Sequence, residues 1–435
     1  MNIILLSGGS GTRLWPLSTE QRSKQFIRLF HDEAGRPVSM LQQVWGRLGG
    51  KGLHQSAVIA TSGNQREAIL EQLGCEADLV LEPEKRDTFA AILLSVAYLC
   101  SHRGVSRDEP IIVMPVDGRT EDSFYDRLLQ LPETLTSSGA NLALMGVRPD
   151  FPSQKYGYMV PEGDGGADAV LTIRAFHEKP SKADAVRYIE QGALWNCGVF
   201  CFRAGYLLDR LNAMGLPEAY EELLLAYDRI ESRSFDYAVV EREDRIAALA
   251  YEGPWKDLGT WCALTEEMNR PLVGPGYIGE ECDNVHVVNE LEVPAVVLGL
   301  SDVVVAASPE GILVTHRESS SRLKEALDRM GRERADDKKA SSERTVDSSA
   351  FPDGTSVTTR RIHLEAGEEL VTAPPADVRR IVSWTVLHGR CRLFQNGREL
   401  PAAIGRSVVL GEEDSARLKA LDPLDLIEII TECHA

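Results

Sequence analysis

The feature that most restricts the fold is an alternation in the first third of the chain. Short apolar runs at 3–6, 57–61, 79–81, 111–114 and 142–146 are each bounded by Gly, Pro, Asp or Ser, the pattern of buried strands. Between them, 39–48, 63–73, 88–100 and 122–137 repeat apolar residues every three or four positions, the period of a helix. This alternation predicts an α/β domain: a Rossmann-like mixed sheet, mostly parallel, with helices on both faces. Open sheets of this kind bind ligands beyond the carboxyl ends of their strands. That rule singles out the segments after Leu6, Leu81 and Met114.

The segment after Leu6 reads Ser-Gly-Gly-Ser-Gly-Thr-Arg-Leu-Trp-Pro-Leu-Ser, and Lys24-Gln25-Phe26 follows shortly. Gly8, Gly9 and Gly11 let the backbone turn sharply and present N–H groups to phosphate. Leu6, Ser10 and Thr12 complete the stretch expected to hold a nucleotide. Arg13 adds a planar, permanently charged fork, and Lys24 a mobile point charge. The spacing fits neither the Walker loop nor the dinucleotide fingerprint. A plain Gly-Ser turn joining strand to helix is the alternative. Three glycines with Arg, Pro and Lys in this order favour the phosphate reading.

On these residues the chain resembles the sugar-nucleotide pyrophosphorylases, above all the mannose-1-phosphate guanylyltransferases. The resemblance runs from about residue 1 to 330, and further segments match in the family's order. The resemblance assigns Arg13 and Lys24 to the pyrophosphate. Glu82-Pro83 with Arg86-Asp87-Thr88 resembles the base-recognition segment, so Glu82, Arg86 and Thr88 are expected at the nucleotide. Glu82 has two readings: an acceptor for guanine N1–H and N2–H, or an acid at a helix N-terminus. Pro115-Val-Asp117 resembles the metal-binding Asp segment, with Gly118 where the subfamily usually has His. Lys155-Tyr-Gly157-Tyr and Glu178-Lys179-Pro resemble the sugar-phosphate loops. Trp195-Asn196-Cys197-Gly resembles Trp-Asn-Ser-Gly, with Cys for Ser. Phe235-Asp-Tyr-Ala-Val and Trp255-Lys-Asp257-Leu-Gly-Thr-Trp261 complete the series. Gly157, Glu178, Lys179 and Asn196 are thereby expected at the sugar phosphate, and Asp117 and Asp257 at Mg²⁺.

The reaction so implied is attack by the oxygen of mannose-1-phosphate on the α-phosphorus of GTP, giving GDP-mannose and pyrophosphate. A phosphate monoester is largely dianionic at neutral pH, with a second pKa of about 6. It needs no general base, and the motifs contain no catalytic His. The work is positioning and charge neutralisation. Two rivals stand beside this reading: another nucleotide and hexose-1-phosphate pair, or a catalytically silent sugar-nucleotide sensor. Gly118, Asp87 and Cys197 are the departures that admit the sensor.

The whole chain has 435 residues, enough for two or three domains. The expected organisation is a nucleotidyltransferase domain at 1–275 and a small β-rich appendage at 276–330, for which a left-handed β-helix is one option. The appendage includes a helix at 318–330. A solvated linker at 331–350 and an all-β cupin-like barrel at 351–435 complete it. Long relatives in the resembled family carry a phosphomannose isomerase barrel with a His- and Glu-rich metal site. Here residues 373–383 lack His and Glu, and His363 and His388 stand apart, so a barrel without metal or isomerase activity is expected. A net charge of −19 argues against nucleic-acid and membrane-surface partners. The eight cysteines contain no CxxC pair, and the apolar N-terminal run is too short for a signal peptide. A cytoplasmic protein, with small-molecule partners and room for a homodimer, is the expectation.

Overall fold

The structure, a computed structural model, describes residues 1–8, 12–19, 22–32, 34–74, 77–163, 170–268, 270–337, 342–374 and 378–433. For Thr12, 331–337, 342 and 344 it describes the backbone alone. Gly9, Ser10 and Gly11, and the side chain of Thr12, therefore lie outside the described residues. The chain forms two compact units, Met1–Lys324 and Glu325–Ala435.

The first unit is built on a nine-stranded sheet. Its strands are β1 (Asn2–Leu6), β2 (Ala57–Ser62), β3 (Leu79–Glu82), β4 (Pro110–Pro115), β5 (Leu142–Val147), β6 (Gly157–Pro161), β7 (Val170–Glu178), β8 (Leu194–Arg203) and β9 (Ile246–Tyr251). Their order across the sheet is β3-β2-β1-β4-β8-β5-β9-β7-β6. The half from β3 to β4 is parallel, as the alternation predicts. Beyond it the sheet is mixed: β8 runs antiparallel between β4 and β5, and β7 antiparallel to β9 and β6. Hydrophobic period reports that a run is a strand, not which way it points, so this half departs from a mostly parallel sheet.

Helices α1 (Met40–Gly50), α2 (Arg66–Leu73) and α3 (Asp87–Arg103) match the helical period. α1 starts with a capping box, in which Ser39 Oγ accepts from Gln42 N at 3.2 Å and Gln42 Oε1 from Ser39 N at 3.1 Å. The stretch 122–137 is two helices, Asp122–Leu128 and Leu131–Ser138. Pro132 explains the break, because it fits a helix's first turn but not its interior. Two cores lie on the two faces of the sheet. One packs α3 with Ile4, Val113 and Phe200, the other packs α1 with Ile3, Leu5, Ile112 and Trp195.

The appendage begins earlier than residue 276. Leu272–Val273 already pairs in parallel with His286–Asn289, which pairs in parallel with Val303–Ser308. Gly276–Ile278 and Ala295–Val297 form a second parallel pair. Successive turns thus stack as in a β-helix. The stretch 318–330 opens as a 3-10 turn, Glu318–Arg322, and becomes a helix, Leu323–Asp337. Arg, Glu and Ala at 332–335 favour helix, which carries it past 330.

The second unit pairs a five-stranded with a four-stranded antiparallel sheet around one core that includes Trp384, Leu393, Leu418 and Leu426. Among the described residues, 351–435 is all-β, as expected. The linker at 331–350 is corrected: Ser342–Ala350 is an edge strand on Thr355–Leu364. Its polar sequence hides it, since an edge strand has one neighbour and little core to fill. His363 is not isolated either, lying 3.4 Å from Asp425 and 3.7 Å from Glu365.

Candidate active site

The carboxyl ends of β1, β3 and β4 open onto one cleft of about 450 Å³. Leu6, Ser7 and Gly8 line it from β1, Glu82, Lys85, Asp87 and Thr88 from the turn after β3, and Pro115, Val116 and Asp117 from the end of β4. Lys24 and Gln25 complete the wall. Gln25 is buried and ties that wall down, donating from Nε2 to the Ser7 carbonyl at 2.9 Å.

A second cavity, of about 210 Å³, adjoins the first and shares Pro115 and Asp117 with it. Its lining includes Tyr156, Gly157, Glu178, Asn196, Trp255 and Asp257. A side chain on Gly157 would clash, because its Cβ would stand 2.6 Å from Glu178 Oε2 and 2.5 Å from Phe176 Cζ.

Lys24 stands at the seam. Its Nζ lies 2.8 Å from Asp117 Oδ2 and 3.6 Å from Asp257 Oδ1. Burial works against the ammonium, but the two carboxylates outweigh it and hold the Lys24 pKa above its ordinary value. Burial likewise pushes Asp117 up, yet the Lys24 charge and hydrogen bond bring its carboxyl below the usual range. For Asp257 burial prevails and the pKa is raised despite Lys24. The charge of Arg13, an exposed residue on the turn Thr12–Leu14, also reaches both acids.

The other expected residues divide. Glu82 ends β3 and is buried, with Oε2 accepting from Tyr227 Oη at 2.7 Å. Burial raises its pKa. The acid in the first turn of α3 is Asp87, so the helix N-terminal reading belongs there and not to Glu82. Thr88 lines the cleft while its Oγ1 accepts from Phe235 N at 2.8 Å. Arg86 is not among the lining residues; it binds Glu84 and donates to the Ile230 carbonyl at 2.8 Å. Asn196 and Glu178 line the second cavity. Lys179 does not, since its ammonium sits 2.7 Å from Glu178 Oε1 and half in solvent.

Sequence reasoning passed over Lys85, Tyr227 and Asp236. Asp236 accepts from Asn196 Nδ2 at 2.8 Å within the second cavity. Burial, then Glu178, pushes its pKa up to about 7. The Phe235-Asp-Tyr run pointed at it without suggesting a role. Nothing in the sequence around Tyr227 marks it.

The nucleotidyl transferase family model matches residues 2–272, the whole of the sheet and both cavities. The chain belongs to the nucleotidyl transferase family. Among similar proteins, the xanthan biosynthesis protein XanB of Xanthomonas campestris pv. campestris (strain B100) is 31% identical over 351 residues, covering 74% of this chain and 72% of that one. A mannose-1-phosphate guanylyltransferase of Klebsiella pneumoniae is 27% identical over 98% of this chain and 95% of its own. A solved structure from Thermus thermophilus, described as a mannose-1-phosphate geranyltransferase, superposes with a TM-score of 0.62 at 30% identity, over 76% of this chain and 99% of that one. For this nucleotidyl transferase, no helix among the described residues is long and apolar enough to cross a membrane.

Proposed function

We propose that the chain transfers GMP from GTP to mannose-1-phosphate, releasing pyrophosphate and GDP-mannose, and so serves polysaccharide precursor synthesis. The observation that carries this is the seam. A nucleotide-sized cleft and a sugar-sized cavity meet at Asp117, beside one ammonium and a second carboxylate. Relatives bearing the guanylyltransferase name support the choice of substrates.

In this reading the turn after β1 presents backbone N–H groups to the triphosphate, and Arg13 and Lys24 neutralise the departing pyrophosphate. Glu82 and Thr88 face the nucleoside side of the cleft. Gly157 leaves room for the hexose, whose hydroxyls meet Glu178, Asn196 and Asp236. Lys179 takes the attacking phosphate by leaving Glu178, a swap of one anion for another. Two carboxylates around a cation are hard oxygen donors of the kind Mg²⁺ prefers, so Asp117 and Asp257 fit that ion as ligands. Bound there, Mg²⁺ would supply charge neutralisation to the reacting phosphates. The attacking phosphate is already a nucleophile, so no side chain need remove a proton.

Pyrophosphate release from purified protein, Mg²⁺ and a panel of NTPs and sugar-1-phosphates tests the proposal. GTP with mannose-1-phosphate should lead the panel, and Asp117→Ala should lower the rate on the order of 10²–10³-fold. Another leading pair would reassign the substrates. Tight GDP-mannose binding without turnover of any pair would make the chain a sensor.

A further inference from the structure

The nucleotide cleft has one buried acid on its wall, and its two oxygens are not equivalent. Glu82 Oε2 is engaged by Tyr227 Oη at 2.7 Å. Oε1 lies beside Gly8, where a Cβ would come within 3.3 Å of it. A side chain at position 8 would crowd that oxygen, and Gly8 avoids it.

Tyr227 is 1% exposed and sits on the turn Tyr227–Arg229. That turn is tied back to the loop after Glu82, because the Ile230 carbonyl that follows it accepts from Arg86 at 2.8 Å. Phe89 N also donates to the Arg233 carbonyl, at 3.2 Å. Two segments far apart in sequence therefore hold the acid and its phenol in one frame.

A carboxylate accepts hydrogen bonds only, and a carboxylic acid carries a donor of its own. Burial drives Glu82 towards the acid. The Tyr227 hydrogen bond is the largest influence opposing it; Asp87 adds to the upward push and Lys85 resists it. Burial also raises the Tyr227 phenol, followed by the influence of Glu82, so it remains a donor at neutral pH.

We propose that Tyr227 is a positioning residue for base selection: it holds Glu82 in place as an acceptor, so that the pair reads a base offering two adjacent N–H donors. The Watson–Crick edge of guanine offers them at N1 and N2. Adenine presents an acceptor at N1, uracil a single N–H between two carbonyls, and cytosine an acceptor at N3. The inference rests on the reading of this cleft as a GTP site. A site built to satisfy a donor pair rejects bases that leave its buried acceptor unpaired.

The test is kcat/KM for GTP and for ITP, which lacks the N2 amino group, with mannose-1-phosphate and Mg²⁺ between pH 5.5 and 9. Wild type, Tyr227→Phe and Glu82→Gln are compared. In Tyr227→Phe, kcat/KM for GTP should fall about 10- to 100-fold at pH 7, and ITP less, so the GTP preference shrinks. The acid limb of the GTP profile should move to higher pH, and raising the pH should recover part of the loss. In Glu82→Gln the pH dependence of the GTP/ITP ratio should vanish, because an amide does not titrate, while the ionisation of mannose-1-phosphate, with a pKa of about 6, is common to both nucleotides and remains. A variant that merely misfolds would lose both nucleotides alike without moving the limb, which would overturn the inference. So would an unchanged GTP/ITP ratio and limb in Tyr227→Phe, or a GTP/ITP ratio that still changes with pH in Glu82→Gln. Wild type without GTP turnover would overturn the functional reading and this inference with it; GTP turnover with an indifferent Tyr227 would overturn this inference alone.

Discussion

Asp257 pairs with Gly118 in a two-residue antiparallel ladder, Lys256–Asp257 against Gly118–Arg119. Asp117 precedes Gly118, so this register sets the two acids side by side and lets one lysine reach both. A Cβ on Gly118 would meet Trp255 Nε1 at 3.5 Å, an ordinary contact. The departure from His at this position thus leaves the ladder intact.

Lys24→Met should expose what that lysine does. Without the ammonium, Asp117 and Asp257 face each other with only the weaker influence of Arg13 to compensate them. Breaking a fully buried pair costs about 3–5 kcal/mol. Here the acid side chains are about a third exposed, at 37% and 32%, so a loss on the order of 2 kcal/mol is expected. Saturating Mg²⁺ should then raise the melting temperature of the variant more than that of the wild type, as one cation replaces another. Equal Mg²⁺ responses in the two proteins would count against a shared cation site.

Asp236 should make stability fall as pH rises. Its folded pKa, about 7, lies above the ordinary 3.8 because burial and then Glu178 oppose its charge. Between these values the folded protein keeps a proton that the unfolded chain releases. The group's contribution is therefore full below pH ~4 and is lost as pH climbs to ~7. Asp236→Asn keeps an oxygen for Asn196 and does not titrate. Urea denaturation across this range should show the variant gaining on the wild type by up to a few kcal/mol, since each pH step of one between the two values contributes about 1.4 kcal/mol. Parallel stability curves would refute it.

Gly311 packs the appendage against Trp15. Its φ is +152°, and a Cβ there would stand 2.5 Å from Trp15 Cζ2. The neighbouring contacts are close: Ser308 Oγ donates to the Pro16 carbonyl at 2.8 Å, and Trp261 Nε1 to the Trp15 carbonyl at 3.2 Å. Arg22 forms a two-point ion pair with Glu290 at 2.6 and 2.9 Å. Gly311→Ala should destabilise by about 1–3 kcal/mol through overpacking. Because Trp15 lies two residues from Arg13, KM for GTP should rise while KM for mannose-1-phosphate changes little. Val314→Ala, at a position 62% exposed, is the matched control and should leave both unchanged. A rise in both KM values for Gly311→Ala would show general damage instead.

Local pattern made the parallel half of the sheet legible, because strands β1 to β4 are apolar, short and bounded by turn residues. It failed where local composition and tertiary role diverge. Ser342–Ala350 has the polarity of a linker and the pairing of an edge strand. In the site, motif order brought Asp117, Gly157, Glu178, Asn196 and Asp257 to one cavity. Arg86 and Lys179 stand in the same motifs yet turn to other partners, because a long cation goes to the nearest acceptor that folding provides.

By itself the sequence determined what repeats locally: which runs are strands, where glycines let the backbone turn, and which charged residues follow strand ends. Only the tertiary structure decided strand direction beyond β4, the meeting of Asp117 and Asp257 at Lys24, and the pairing of Tyr227 with Glu82. Period and propensity act over a few residues. These contacts join segments far apart in sequence, or depend on register, and both are set by how whole elements pack.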